Sequence, residues 1–375
     1  MTADDVNLEP DPPIRVRTHP IGVIGAGAIM ADQHLVAYGL AGFPVAAIAS
    51  RTKARAESVA ARHGIPVVHE SPSELIADPR IEIVDIAFPP DQQPGLIREA
   101  LAAPHVKAIL AQKPLALTLD EAIALRDEAA ASGKILSVNQ NMRYDQSVRA
   151  LKHLLDRGAL GEPVFAAIDM HAVPHWQTFL EGYDRLTIAN MGVHHLDALR
   201  YLFGDAEEIS TAARTDPRTS FAHTDGIAAS MIRFENGVLA TTREDVWGGP
   251  REDGYDSDFF ISWRVEGTSG AAKGTIGWPS GEPSTLSYAS TTVTDGSWVS
   301  PSWDTMWFPH AFAGVMEQVQ YAVETGEEPA LTVADNVKTM ALVEASYRSL
   351  AEKRTVRLDE FDLTHPIRNA KEQST

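Results

Sequence analysis

The sequence predicts a doubly wound α/β domain with a parallel sheet, followed by an α+β domain with a mostly antiparallel open sheet. Residues 21–141 alternate apolar strand patterns with helical patterns, which is typical of strands joined by helical crossovers. The first apolar strand runs into two closely spaced glycines and then into a helical pattern. After about residue 142, strand-like segments joined by short turns replace the alternation, which indicates hairpins.

The glycine-rich turn follows the first predicted strand, at residues 21–24. Gly25 permits the tight turn, and Gly27 lets the backbone come close to a phosphate group. A helix that begins at Ala28 aims its free N–H groups and its dipole at the same place. Met30 stands where the third glycine of the usual motif would be. The pattern predicts a Rossmann dinucleotide-binding domain, whose pyrophosphate contacts are Gly25, Gly27, Ala28 and Ile29.

The remaining elements follow from hydrophobic periodicity and turn signals. In the first domain we predict strands at 45–49, 83–88, 106–111 and 135–138, with helices at 52–63, 96–103 and 121–131. In the second domain we predict helices at 146–156, 194–203, 312–324 and 335–352, and strands at 164–168, 227–234, 238–244, 259–266 and 273–276. Ligands of doubly wound sheets bind at the carboxyl ends of the strands, so the residues just after each strand are the informative ones.

The predicted domain boundaries follow the change of pattern. We expect a loose N-terminal tail over residues 1–19, the Rossmann domain over 20–141, and a substrate-binding and oligomerisation domain over 142–375. The pattern leaves open whether the C-terminal helices pack back on the first domain. We also expect a homo-oligomer, a dimer or tetramer, that forms through the open sheet.

Composition excludes several classes of function. The formal net charge of the 375 residues is -19, which disfavours nucleic acid or an anionic membrane as a partner. The chain has no cysteine, so thiolate nucleophiles, cysteine-ligated metals and disulfides are excluded. Because the first residues are acidic and lack an apolar core of the signal-peptide kind, we expect a cytoplasmic protein.

The second predicted strand ends at Ser50 and Arg51, where an NAD-binding site usually has a carboxylate for the ribose 2′-hydroxyl. A hydroxyl and an arginine suit a 2′-phosphate, so the sequence favours NADP(H) over NAD(H). The alternative is that Arg51 stacks on the adenine and leaves the choice to other residues. Phe88 and Pro89 follow the next strand of the sheet and are expected to border the cofactor.

Lys113 follows the strand at 106–111 and precedes Pro114, which restricts its backbone to an extended turn. A lysine in this position can hydrogen-bond a substrate hydroxyl and, if desolvated, can transfer its proton. The alternative is an ordinary solvated lysine.

A third cluster lies at residues 190–197. Asn190 and His194 are one helical turn apart and share a face, so Asn190 can orient an imidazole that exchanges protons near neutral pH. Asp197 lies three residues after His194, where it can pair with it or cap nearby backbone. We expect His195 to be a packed structural histidine.

Together these segments resemble the glucose–fructose oxidoreductase/inositol dehydrogenase/MocA family. The resemblance rests on the segments 25–29, 112–114 and 192–197, and it extends to the junction at 141–144 and to residues 158–163. It implies that Lys113 and His194 form an acid/base pair assisted by Asn190. It also implies that Gln112, Lys113 and Asn141 contact the cofactor.

The sequence departs from the family pattern at two positions. The family has Glu where this chain has Gln112, and it commonly has Asp where this chain has Asn190. Loss of the carboxylate at 112 favours a lower pKa for Lys113, because the charged form has less support. Asn190 can form hydrogen bonds but cannot titrate, so a carboxylate step in a proton relay is not expected.

Aromatic and histidine side chains in the loops of the second domain suit a polyhydroxylated ring. The candidates for substrate contact are Arg143, Tyr144, His171, His175, Trp176, Tyr183 and His194. The aromatic tract 303–310 is expected either to close the pocket or to form a subunit contact. We predict no metal site, because no suitable carboxylate or open-site motif accompanies the histidines.

Three functions are consistent with these residues. The first is a nicotinamide-dependent oxidoreductase that transfers hydride at a ring carbinol carbon of a sugar, sugar derivative or cyclic polyol. The second, implied by some members of the family, is a redox-neutral glycoside hydrolase that oxidises, eliminates, hydrates and reduces again. The third is a cofactor-sensing regulatory protein, which the retained Lys113 and His194 disfavour.

Overall fold

The computed structural model describes residues 8–171, 178–246, 259–277 and 281–364. They form two compact units. The N-terminal unit contains 14–140 and 312–341, together with the described residues after 360, and the C-terminal unit contains 141–311 and 342–360, together with the described residues before 14. Residues 312–341 thus group with the N-terminal unit, which is the arrangement of the C-terminal helices that the sequence pattern left open.

The N-terminal unit is built on a six-stranded parallel sheet of order β3-β2-β1-β4-β5-β6. Its strands are β1 (Ile21–Ile24), β2 (Val45–Ala49), β3 (Val67–Val68), β4 (Ile83–Ile86), β5 (Ala108–Ala111) and β6 (Ile135–Val138). The strand order reverses between β1 and β4, and this switch point is where doubly wound sheets bind nucleotides. The predicted Rossmann fold is therefore confirmed.

Helices connect these strands and begin and end as their sequences dictate. They are α1 (Leu35–Ala41), α2 (Lys53–His63), α3 (Pro72–Ile76), α4 (Gln93–Ala102) and α5 (Leu119–Ser132), and a π-helical turn (Ile29–His34) precedes α1. Thr118 caps α5 by accepting a hydrogen bond from the Glu121 N–H, and Gly133 ends it in the left-handed conformation.

The C-terminal unit contains an eight-stranded sheet of order β13-β12-β11-β7-β10-β9-β8-β14. Its strands are β7 (Pro163–His171), β8 (Ala206–Arg214), β9 (Ile227–Phe234), β10 (Leu239–Asp245), β11 (Phe260–Gly267), β12 (Gly270–Thr275), β13 (Thr285–Ser290) and β14 (Val356–Arg357). Only β7 and β10 pair in parallel within this sheet, so the predicted mostly antiparallel sheet is confirmed. Two hairpins, the kind of connection that the short turns indicated, join β9 to β10 around residues 235–237 and β11 to β12 around residues 267–270.

Helical segments of the C-terminal unit carry several of the candidate residues. They are a 3-10 turn (Asn141–Tyr144), α6 (Gln146–Asp156), a 3-10 turn (Thr178–Gly182), a π-helical turn (Ile188–Gly192), α7 (Val193–Phe203) and a 3-10 turn (Leu358–Glu360). Two long helices, α8 (Trp307–Thr325) and α9 (Val333–Glu352), begin in one unit and end in the other.

Residues 15–19 differ from the expected loose tail. The backbone N–H of Arg15 donates to Glu317 Oε1 at 3.0 Å, and the backbone N–H of His19 donates to Gln320 Oε1 at 3.0 Å. His19 is buried. Contacts with residues far away in the sequence thus hold this segment, and local composition does not reveal such contacts.

Candidate active site

The glycine-rich turn after β1 leaves room for a phosphate group. Gly25 has a φ of 126°, and a Cβ there would lie 2.7 Å from the carbonyl oxygen of Ala87, so glycine is required for two reasons. At Gly27, by contrast, a Cβ would meet no described atom within 4 Å. Among the described residues no side chain caps the helix that begins after Ala28. An open space in front of a helix start fits the pyrophosphate of a dinucleotide.

Arg51 and Phe88 lie side by side at the carboxyl edges of β2 and β4. The guanidinium of Arg51 lies 5.6 Å from the ring centroid of Phe88, and its Nη1 donates to Gln92 Oε1 at 3.1 Å. Arg51 is exposed, whereas Ser50 is buried and its Oγ accepts a hydrogen bond from the Thr52 N–H at 3.3 Å. This arrangement offers an exposed cation and an aromatic face to a nucleoside.

The loop after β5 is held by one buried amide side chain. Gln93 Nε2 donates to three backbone carbonyls, those of Gln112, Pro114 and Leu115, at 2.7–2.9 Å. Its Oε1 accepts the backbone N–H of Gln112 at 3.1 Å. Gln93 is fully buried, and the residues it binds flank Lys113 on both sides. Sequence reasoning did not select Gln93.

Lys113 is partly buried at the end of this loop. Desolvation lowers the pKa of its ammonium to about 7. Its backbone N–H donates to the side chain of the preceding residue, Gln112 Oε1, at 2.9 Å. A lysine with a pKa near neutrality can both accept and return a proton at physiological pH.

The segment that carries Asn190 and His194 is anchored by Asp225 and Tyr347. Asp225 accepts the backbone N–H groups of Leu186 at 2.7 Å and Ile188 at 2.8 Å, and it accepts the Tyr347 hydroxyl at 2.8 Å. That hydroxyl also accepts the Ala189 N–H at 3.1 Å. Burial raises the pKa of Asp225. These contacts fix the π-helical turn from which α7 begins.

A second buried carboxylate lies against the same segment. Glu244 Oε1 is 3.1 Å from His195 Nδ1, and both side chains are buried. Burial raises the pKa of Glu244. A Cβ at Gly192 would lie 2.5 Å from Glu244 Oε2, so any larger residue between Asn190 and His194 would push against this buried carboxylate. His195 is the packed histidine that we expected.

Two candidate residues at 141–144 are engaged within the protein. Asn141 Oδ1 accepts the Trp307 Nε1–H at 3.0 Å, and the Trp307 ring meets the His194 ring edge-on at a centroid distance of 5.6 Å. The guanidinium of Arg143 donates to both carboxylate oxygens of Asp197 at 2.6 Å. Asp197 therefore pairs with Arg143, whereas helix spacing had placed it within reach of His194.

The other candidates for substrate contact differ in burial. Tyr144 is buried, and the Arg149 guanidinium lies 5.7 Å from its ring centroid. Tyr183 packs partly buried on a cluster of Leu180, Leu186 and Val246. His171 ends β7 and stacks on Phe260 at 4.8 Å between ring centroids. His175 and Trp176 lie outside the described residues.

The structure thus assigns the candidate residues to two groups. The N-terminal unit collects Gly25, Gly27, Ala28, Ile29, Ser50, Arg51, Phe88, Pro89, Gln112 and Lys113 at the carboxyl edge of its sheet and at the first helix. The C-terminal unit carries Asn141, Arg143, Tyr144, His171, Tyr183, Asn190 and His194. Within the described ranges no group of three or more histidine or acidic side chains could hold a metal ion, and no helix is long and apolar enough to cross a membrane.

The chain matches known proteins over both units. The sequence model described as "Oxidoreductase family, NAD-binding Rossmann fold" matches residues 20–140, and the GFO/IDH/MocA C-terminal domain matches residues 148–273. The D-apiose dehydrogenase of Rhizobium rhizogenes is 29% identical over 89% of this chain and 96% of its own length. Inositol 2-dehydrogenase 2 of Saccharopolyspora erythraea is 26% identical over 84% of this chain and 96% of its own length.

A solved structure of another oxidoreductase is similar in fold to this chain. An oxidoreductase from Agrobacterium radiobacter, crystallised with NAD+, L-tartaric acid and magnesium, superimposes with a TM-score of 0.76. It shares 25% of its sequence with this chain, over 91% of this chain and 99% of its own. The fold and the glycine-rich edge thus define an NAD-binding oxidoreductase. The chain belongs to the glucose–fructose oxidoreductase/inositol dehydrogenase/MocA family.

Proposed function

We propose that this protein is a nicotinamide-dependent dehydrogenase that oxidises a carbinol carbon of a sugar, sugar derivative or cyclic polyol. The observation that carries the proposal is Lys113, which lies at the carboxyl edge of the Rossmann sheet with its pKa lowered to about 7. The similar proteins named as D-apiose dehydrogenase and inositol 2-dehydrogenase support the substrate class.

In the proposed reaction, neutral Lys113 accepts the proton of the substrate hydroxyl through its Nζ. His194 binds the same hydroxyl region and exchanges its proton, and Asn190 orients it from one helical turn before. The nicotinamide, when bound, accepts a hydride from the carbinol carbon. Phe88, Pro89, Gln112 and Asn141 complete the proposed cofactor contacts.

The proposed substrate contacts are the loop residues of the C-terminal unit. An imidazole or phenol ring can cover the apolar face of a sugar while its polar atoms bind hydroxyl groups. Arg143 is one of the proposed substrate contacts, and two hydrogen bonds to Asp197 hold its guanidinium in place. The remaining proposed contacts are Tyr144, His171, His175, Trp176 and Tyr183.

An assay of net chemistry tests this proposal. The purified protein is incubated with NAD+ or NADP+ and a panel of pentoses, hexoses, inositols and aryl glycosides, while absorbance at 340 nm and released aglycone are measured. We expect reduced nicotinamide to accumulate in proportion to the substrate consumed. Release of aglycone without lasting reduction of the nicotinamide would contradict the proposal and would favour the redox-neutral glycosidase.

The proposed position of the nucleotide pyrophosphate can be tested with a matched pair of variants. Gly27→Asp puts a carboxylate where we place the pyrophosphate, and the open space at Gly27 lets the fold persist. Gly39→Asp puts the same carboxylate at an exposed, open position of α1. In isothermal titration we expect nucleotide binding to be lost for Gly27→Asp and retained for Gly39→Asp. Equal binding by both variants would contradict the pyrophosphate position.

We propose further that the protein prefers NADP(H), because the exposed Arg51 guanidinium lies at the end of β2 where the ribose 2′ position is expected. Removal of a charge-assisted contact costs about 1.5–3 kcal/mol, or about ten- to a hundredfold in affinity. We therefore expect Arg51→Ala to weaken NADP+ binding by that factor, with little effect on NAD+, while Arg55→Ala on the exposed face of α2 changes neither. Equal losses for both nucleotides would mean that Arg51 stacks on the adenine.

We propose that the chain forms a homo-oligomer through the open face of the C-terminal sheet. Met231 on β9 is more than half exposed, and the strand register places the partly buried Phe165 and Ala167 of β7 on the same face. Apolar side chains on a sheet face favour association. Sedimentation velocity of the wild-type protein and of Met231→Glu measures this. We expect the variant to shift toward the monomer, and an unchanged oligomer would exclude this face.

A further inference from the structure

A buried histidine–carboxylate pair lies beneath the Lys113 loop. His34 Nδ1 is 2.8 Å from Asp85 Oδ2, and Tyr38 donates its hydroxyl to the same oxygen at 2.7 Å. His34 and Asp85 are fully buried, and the Phe312 ring packs against the imidazole at 4.6 Å between centroids. Burial of a charged or polar side chain costs free energy unless its hydrogen-bonding groups have partners.

The other nitrogen of His34 faces amide groups. His34 Nε2 is 3.3 Å from Gln112 Nε2 and 3.1 Å from Asn139 Nδ2. The orientation of the Gln112 amide is fixed independently, because its Oε1 accepts the backbone N–H of Lys113 at 2.9 Å and a backbone N–H can only donate. The amide nitrogen of Gln112 therefore points at His34, which favours Nε2 of His34 as the acceptor. Its proton then resides on Nδ1 and is donated to Asp85.

We propose that His34 and Asp85 are positioning residues for the proposed active-site lysine, with His34 held as the neutral Nδ1–H tautomer and its Nε2 receiving the Gln112 amide. The contacts run in series from Asp85 to His34, from His34 to the Gln112 side chain, and from that side chain to the backbone of Lys113. No charge is added next to Lys113 by this series, since both groups nearest the loop are neutral amides.

The same geometry fits an amide better than a carboxylate at position 112. A carboxylate at 112 would offer the lone pair of His34 another lone pair, and the two would repel unless His34 gained a proton on Nε2. Gln112 donates instead, so it matches a histidine whose proton is already committed to Asp85. The residue at 112 and the tautomer of His34 are thus coupled.

A spectroscopic experiment tests the tautomer without any assumption about activity. Protein labelled with 15N-histidine is studied by imidazole 15N NMR at pH 7, and the His34 signals are assigned by their loss in His34→Gln. We expect a protonated Nδ1 and an unprotonated Nε2 in the wild-type protein, and protonation of Nε2 in Gln112→Glu. A wild-type His34 with a protonated Nε2 would overturn the proposal.

A kinetic experiment tests the positioning role, which rests on the proposed function of Lys113. Loss of alignment of a reacting group costs about tenfold or more in rate, so we expect His34→Gln to lower kcat by at least that factor with an unchanged Kd for the nucleotide. The matched control is His69→Gln, because His69 also pairs with a buried carboxylate of the same unit, Asp78, at 3.0 Å. A folded His34→Gln with wild-type kcat would overturn the proposal.

A double variant that moves the carboxylate from one side of His34 to the other tests the coupling between residue 112 and the His34 tautomer. Gln112→Glu alone places carboxylates on both sides of His34, whereas Gln112→Glu with Asp85→Asn keeps a single carboxylate and reverses the tautomer. We expect His34 to carry a proton on both ring nitrogens in Gln112→Glu and only on Nε2 in the double variant, as read by the same 15N NMR measurement, and the same protonation in both variants would contradict the coupling. Should Lys113→Ala prove fully active, the proposed function fails while the NMR result still decides the tautomer.

Discussion

The loop that carries Lys113 and the segment that carries His194 are held by contrasting contacts. Neutral amides surround the lysine loop: Gln93 binds its carbonyls, and Gln112 binds the lysine backbone. Buried carboxylates hold the histidine segment: Asp225 accepts two of its backbone N–H groups, and Glu244 lies against its glycine and its second histidine.

The difference has an electrostatic reason. A carboxylate beside Lys113 would stabilise its ammonium and raise its pKa, which would lower the fraction of neutral amine at neutral pH. The histidine segment tolerates carboxylates because they bind backbone N–H groups and His195, while the Trp307 ring meets the His194 ring edge-on. We infer that desolvation tunes the lysine, whereas hydrogen bonds to the backbone position the histidine.

Removal of the lysine has the largest expected effect. Lys113→Met keeps the apolar stem and deletes the amine, so we expect turnover to fall by about 10²–10⁴-fold, as for a general acid or base. Lys134→Met is the matched control, since Lys134 is also partly buried with a lowered pKa but lies before β6, at the amino end of the strand. Steady-state kinetics and nucleotide titration measure both, and equal turnover in the two variants would exclude Lys113.

The close approach of Gly192 to Glu244 predicts a smaller loss. Gly192→Ala places a Cβ 2.5 Å from Glu244 Oε2, so the carboxylate or the π-helical turn must move. Overpacking of this kind costs about 1–3 kcal/mol in the free energy of unfolding. We expect that loss in urea titrations, with a fall in kcat from the displaced His194. Gly182→Ala, at an open position among the described residues, is expected to change neither quantity.

The hydroxyl of Tyr347 offers a weaker test of the histidine segment. Tyr347→Phe removes the donor to Asp225 and the acceptor of the Ala189 N–H, at a cost of about 1–3 kcal/mol in unfolding free energy. We expect kcat to fall by severalfold while KM for the nucleotide stays constant. Tyr321→Phe, on a tyrosine whose hydroxyl meets the exposed Glu327, serves as the control. A variant with wild-type stability would show that Asp225 alone fixes the segment.

Stability should also depend on pH through the lysine. Its pKa is about 7 in the folded protein and about 10.4 in an unfolded chain, so the unfolded state binds more protons between those values. The free energy of unfolding therefore rises with pH across this window, while the full cost of burying the cation applies below it. We expect urea titrations at pH 7 and 9.5 to show this rise for the wild-type protein and a smaller rise for Lys113→Met.

Part of the proposed site could be predicted from local patterns in the sequence. The glycine turn, Lys113 and the Asn190–His194 pair could be proposed from the sequence because each depends on residues within one strand end or one helical turn. Asp225 and Tyr347 were missed, because their partners lie tens to more than a hundred residues away. Asp85 had a usable signal: a carboxylate inside an otherwise apolar strand must have a buried partner.

The protonation of Lys113 is the most direct test of the account. Reductive methylation with 13C-formaldehyde labels the lysine amines, and the Lys113 signal is identified by its absence in Lys113→Arg. Its 13C shift is then followed by NMR from pH 5 to pH 11. We expect a titration midpoint of about 7, as set by desolvation. A midpoint near the ordinary lysine value of about 10.4 would contradict it, because the amine would then be charged at neutral pH and could not accept the substrate proton.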